Sequence, residues 1–136
     1  MTQPLSFRLT HEPDGTAVLC VRGEVDISTA AHLGERVMAA FARHPRLVLD
    51  LSGAMFFDAS GLRVLHALHA EATRRQRPAP TLRGVRPLLA KSLKATGMSS
   101  RFTVEPGPAT ARMGGPGVTR RPGGPAAVAG RAMPVP

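Results

Sequence analysis

The sequence predicts an α/β fold, a mixed and mostly parallel β-sheet with flanking helices, followed by a disordered C-terminal tail. Three observations carry that reading. Two short apolar runs, Ala17 to Val21 and Leu47 to Leu51, have the composition of inner strands covered on both faces. Stretches with helically spaced apolar residues lie between the strand candidates, so strands and helices alternate. The last 32 residues, 105–136, hold 7 Pro and 7 Gly without any apolar period, a composition that cannot bury a core.

The elements follow in order. Leu5, Phe7 and Leu9 alternate with Ser6, Arg8 and Thr10, the period of a strand with one wet face. Asp14-Gly15 supplies a tight turn into Ala17 to Val21. Ser28 or Thr29 can cap a helix whose inward stripe is Leu33, Val37, Ala40 and Phe41, and Pro45 marks its exit. After the strand at Leu47 to Leu51, a helix from Ala59 to about Arg75 buries Leu62, Leu65, Leu68 and Ala72. Thr81 to Gly84 is a strand candidate. Val85, Leu88, Leu89 and Leu93 form the next helical stripe, with Gly97 placed as its C-cap. Phe102 to Val104 is a short last strand. The order β-β-α-β-α-β-α-β gives parallel neighbours by right-handed crossovers, with the opening hairpin as an antiparallel edge. One domain over 1–104 and a Pro/Gly-rich tail over 105–136 account for the chain.

Composition narrows the function classes. The net charge of +9 is spread along the chain: residues 1–104 hold 14 basic and 8 acidic residues, and residues 105–136 hold 4 and 1. A basic balance favours acidic partners. Trp and Tyr are absent, so stacked bases would need the five Phe, and no helix-turn-helix or zinc-finger pattern occurs. No nucleic-acid partner is expected. Cys20 is the only cysteine, which fits a reducing compartment. With no signal pattern and no apolar run of spanning length, the expectation is a soluble cytoplasmic protein without a membrane partner.

The stretch LDLSGAMFFDASGL, residues 49–62, is the most informative. A strand runs into Met55, Phe56 and Phe57, and Asp58, Ala59, Ser60 and Gly61 then open a helix whose first N–H groups face outward. In a parallel sheet the binding crevice lies beyond the carboxyl ends of the strands. That topology brings Asp26, in the loop GEVDIS, to the same rim as Asp58.

Three chemistries compete there. Nucleophilic attack by Ser60 with His66 as base fails on geometry, because His66 lies nearly two turns further along the same helix. The elbow Gly-x-Ser-x-Gly is also absent, since Asp58 stands in place of its first glycine. A metal site from His66, His69 and Glu71 lacks a sequence-near carboxylate on that face, and both histidines flank the apolar stripe. No enzyme activity, metal or cofactor is therefore expected. A protein-docking surface remains: Met55 and Phe56 either stay outside as anchors or cover the sheet end, and Phe57 turns inward. Asp58 caps its helix in either case.

The blocks GEVDIST at 23–29, LVLDLSGAMFFDASGLRVL at 47–65 and LLAKSLKATGM at 88–98 resemble a STAS domain of the bacterial anti-sigma-factor antagonist type. The resemblance covers about residues 5–104, and its middle block is the specific one. It implies binding to an anti-sigma factor that is also a serine kinase, which frees a sigma factor. In that family the kinase inactivates the antagonist by phosphorylating the residue directly after the Asp of a D-S/T-x-G motif. Asp26 and Asp58 fall on the family's acidic positions. The implied partner surface is Asp26, Ser28, Met55, Phe56, Asp58, Ala59, Ser60 and Gly61. The chain departs from the pattern at the acceptor position, which is Ala59. Ser60 follows it about 100° further round the helix. The implied antagonist thus lacks the usual phosphorylation switch. The alternative is a STAS scaffold or accessory subunit of a stressosome-like or transport-ATPase assembly.

Overall fold

A computed structural model describes residues 4–106. The expected tail lies outside these residues except for Glu105 and Pro106, which belong to the last strand. The elements are β1 (Ser6–His11), β2 (Ala17–Val25), α1 (Ala30–Arg43), β3 (Leu47–Phe57), α2 (Ala59–Arg74), β4 (Thr81–Val85), α3 (Pro87–Ala95), a 3₁₀ turn (Met98–Ser100) and β5 (Val104–Pro106). One sheet has the order β1-β2-β3-β4-β5. β1 and β2 are antiparallel, and every other neighbouring pair is parallel. This is the expected α/β class, with the elements in the expected order along the chain.

Local chemistry sets the ends of these elements. Gly15, with φ of 89°, closes the hairpin, and the Asp14 carboxylate accepts from the Thr16 N–H. α1 stops at Arg43 because Pro45 disfavours helical backbone in the residue before it, and His44 is already extended. Its last carbonyls are taken by Arg77, which donates to the oxygens of Phe41 and His44 at 2.7 Å each. Gly97, with φ of 77°, follows the end of α3 as a left-handed terminator.

Because consecutive strands are neighbours throughout, right-handed crossovers put all three helices on one face. Leu19 and Val21 of β2, with Leu49 and Leu51 of β3, pack there against Leu33, Val37, Leu65, Leu68, Leu89 and Leu93. Among the described residues no helix covers the other face, which is open beyond Val18 and Val48. Of Ala17 to Val21, expected to be covered on both sides, only Cys20 is half-buried and the other four are buried, whereas further along the face Asp50 is half-buried and Arg22 and Ser52 are exposed. Partial burial, with the charge of Asp50 opposite, pushes the Cys20 thiol pKa up. Arg83 crosses this face near the strand starts, meeting Glu12 at 2.8 Å and Glu105 at 3.0 Å.

A second correction concerns length. Ser52 to Phe57 reads as loop in the sequence but is strand, because β2 also runs on to Val25. Arg22, Gly23, Glu24 and Val25 pair with Gly53, Ala54, Phe56 and Phe57, while β3 pairs with β4 only over Val48 to Asp50. The two inner strands therefore continue as a ribbon past their neighbour and carry the rim with them.

One surface cluster gives a pH prediction. Glu71 accepts from Arg74 and Arg75, which hold its pKa at about 2 against an ordinary 4.5. A carboxyl lowered by folding stabilises above its unfolded value, and that contribution fades as pH falls from about 4.5 toward 2. The urea midpoint of Glu71→Gln is expected to fall slightly below that of the parent at pH 7 and the gap to shrink steadily as the pH is lowered from about 4.5 toward 2.

Candidate functional site: the rim where β2 and β3 reach their helices

Asp58 fixes the site at its centre. Its carboxylate accepts from the Ser60 N–H at 2.8 Å as the N-cap of α2, and its own N–H donates to the Val25 carbonyl at 3.1 Å. That second bond joins the end of β2 to the start of α2. Asp26, the residue after Val25, is therefore a close neighbour of Asp58, as the topology argument expects.

Asp26 organises its own loop. Its Oδ1 accepts from the Ser28 N–H at 2.9 Å and the Ser28 hydroxyl at 2.6 Å, and its carbonyl accepts from the N–H groups of Thr29 and Ala30. Thr29 is the N-cap residue of α1, yet its hydroxyl makes no capping bond. It donates to the Glu24 carbonyl at 2.8 Å and accepts from the Asp26 N–H at 3.0 Å. The Thr29 hydroxyl thus ties the loop to β2 instead of capping the helix. Ser28 is exposed, with its hydroxyl held on Asp26.

The apolar residues divide. Met55 is 65% exposed and Phe56 50%, at the ribbon tip. Phe57 is half-buried and packs on the core. Gly61 explains how. A Cβ there would stand 2.5 Å from Cε1 of Phe57 and 2.8 Å from Cγ1 of Val25, so only glycine lets that ring lie against α2. The inward residues of α2 are accordingly Gly61, Leu65, Leu68 and Ala72, and Leu62, expected in the stripe, is only half-buried. The periodicity missed this because glycine has no side chain to mark a buried face.

Sequence reasoning also missed two rim residues. Ile27 is 82% exposed between Asp26 and Ser28. Leu88, expected to face inward, is 75% exposed on the first turn of α3, where Leu89 and Leu93 take the core positions. Arg86, which precedes α3, donates to the Ser52 carbonyl at 3.1 Å and reaches the Met55 sulfur at 3.3 Å, tying this third junction to the ribbon. A signal for Ile27 existed in the sequence: an isoleucine amid Asp, Ser and Thr ahead of a helix cap has no inward period to join.

Ala59 is exposed at the first position of α2, and Ser60 is half-buried behind it. His66 is exposed, and the half-buried His69 sets its ring against Phe102 with centroids 6.0 Å apart. Among the described residues no group of three or more His, Cys, Asp or Glu is placed to hold a metal ion. Among them too, no helix is long and apolar enough to cross a membrane. The rim therefore offers exposed apolar side chains, hydrogen-bonded acids and a helix start without a hydroxyl at its first position.

A family model described as "Mlab, STAS domain" matches residues 9–105. The anti-sigma-F factor antagonist RsfB of Mycobacterium tuberculosis is 41% identical over 69 residues, which span 49% of this chain and 57% of RsfB. The chain thus spans little more than half the length of that curated relative. An anti-sigma factor antagonist from Mycobacterium paratuberculosis superposes with a TM-score of 0.64 at 25% identity, covering 83% of this chain and 97% of that one. The phosphorylated form of the Bacillus cell fate determinant SpoIIAA shares the fold, with a TM-score of 0.56 at 15% identity over 79% of this chain and 98% of that one.

Proposed function

We propose that this chain, which belongs to the STAS domain family, is an anti-sigma-factor antagonist that docks through the β2–β3 rim and lacks the family's usual phosphorylation switch. The relatives named as antagonists support the first part. The observation that carries the rest is the start of α2. Exposed Ala59 stands at its first position, so the place that takes phosphate in the family carries no hydroxyl, and exposed Met55 and Phe56 give the rim apolar anchors. Asp26, Ser28, Ile27, Asp58, Ser60 and Gly61 shape that face. The partner is an anti-sigma factor of the serine-kinase type, and binding frees the sigma factor it holds.

Phosphate at a helix start adds a charge of about −1.5 to −2 and dislodges a docked partner without refolding the domain. With alanine at that place, release is governed by the amounts of the two proteins instead. Incubating the chain with the serine-kinase anti-sigma factors of its host and ATP is expected to give a complex but no phosphoprotein. Ala59→Ser is expected to become phosphorylated and to lose the complex. Phosphate on Ser60 of the parent chain would contradict the unswitched reading, and failure to bind any anti-sigma factor would contradict the function itself. Capture of only a scaffold or transport-ATPase subunit would favour the alternative assembly role.

A further inference from the structure

The open face of the sheet holds a cavity of about 480 Å³ above Cys20 and Asp50, within the size range of small-molecule sites. Arg8 from β1, Arg22 from β2 and Arg86 from the β4–α3 junction line it, against the single carboxylate of Asp50. The register makes this an uncomfortable grouping. Ser6 lies opposite Arg22 and Arg8 opposite Cys20, so Arg8 and Arg22 are diagonal neighbours of like charge on one face. Among the described residues none of the three arginines is in an ion pair. Arg83, on the same face, is taken by two carboxylates. Asp50 is in no ion pair with them: its Oδ1 accepts from the Ser52 N–H at 2.9 Å and the Ser52 hydroxyl at 2.6 Å, and its single negative charge offsets at most one of the three. Arg86 is held in place by the Ser52 carbonyl and the Met55 sulfur, with N–H donors to spare.

The backbone is shaped around these groups. The β2–β3 register slips between Cys20 and Arg22, as happens where a bulge re-aims side chains. A Cβ on Gly53 would come within 2.8 Å of Cγ of Arg22, and one on Gly84 within 2.8 Å of the Ser52 Cβ. Glycine is thus found where a side chain would evict the arginine stem or the serine beside Asp50.

We propose that this cavity binds a small phosphate-bearing anion carrying more than one negative charge. Guanidinium forks match phosphate oxygens in pairs, and three of them converging from separate elements supply the charge that one carboxylate leaves unmatched. The site lies on the sheet face and shares Met55 with the proposed docking rim, but none of its three arginines comes from the start of α2.

Inorganic pyrophosphate is the probe. Titrated into the full chain at constant ionic strength, it is expected to raise the melting temperature saturably. It is also expected to shift the backbone amide resonances of Arg8, Cys20 to Gly23, Asp50 to Gly53 and Arg86. The double variant Arg8→Gln, Arg22→Gln is expected to weaken binding by roughly tenfold or more. Three results would overturn the proposal: a rise matched by sodium chloride of equal ionic strength, amide shifts confined to the start of α2, or full affinity in a folded double variant. Should that variant not fold, the amide map of the unaltered chain decides alone.

Discussion

Ala59→Asp is expected to weaken binding to the anti-sigma factor roughly a hundredfold while leaving the melting temperature unchanged or slightly raised. The two halves have opposite causes. At the first position of α2 a carboxylate meets the positive end of the helix dipole, an arrangement that stabilises by about 0.3–1 kcal/mol. In the complex the same carboxylate would be stripped of water beneath a partner that carries no charge prepared for it. An unmatched buried charge costs about 3 kcal/mol, which is the hundredfold. Because the helix is strengthened rather than weakened, a loss of affinity cannot be put down to unfolding. Calorimetry on the purified pair together with a thermal melt of the free variant reads both quantities. Undiminished affinity would move the interface away from this helix start.

Gly61→Val is expected to lower stability by about 3 kcal/mol and to abolish docking. The cause here is volume, not charge. A Cβ at this position would lie 2.5 Å from Cε1 and 2.7 Å from Cδ1 of Phe57, with Val25 Cγ1 behind at 2.8 Å. Neither neighbour can give way without moving an inner strand, so the overpacking is relieved only by expelling the Phe57 ring. Val25 and Phe57 are paired residues at the top of β2 and β3, and the Val25 carbonyl accepts from Asp58. Pushing the ring out therefore loosens the bond that holds the two rim loops together. For a domain of this size the loss corresponds to a fall of roughly 12–24 °C in melting temperature. Gly61→Ala is expected to show the same direction at smaller size. A melting temperature within about 2 °C of the parent for Gly61→Val would mean the ring is not packed there.

Much of this was legible in the sequence, and the parts that were not have physical reasons. The α/β class and the order of elements followed from two apolar runs separated by helical periods, since topology rules leave few ways to join them. The meeting of Asp26 and Asp58 followed from the same rules, and the Asp58–Val25 hydrogen bond shows how it is achieved. The length of β3 was not legible. Ser52, Gly53 and Ala54 have weak strand preference, and they are extended because β2 runs beside them. Nor was the open part of the sheet face, since Cys20 follows buried Val18 and is apolar enough to read as covered too, while the helices of the described residues lie on the opposite side. The places of Gly61 and Leu88 were misread for complementary reasons. A glycine marks no face, and a leucine at the first turn of a helix can satisfy a periodic pattern while pointing into water.

The most direct test of the docking rim is the amide hydrogen-exchange footprint of the complex with the anti-sigma factor. Protection is expected at residues 25–28, at 55–57 and through the first turn of α2, with the amides of β1 and β4 unaffected. Protection confined to the open face of the sheet, with exchange at 55–61 unchanged on binding, would contradict the account.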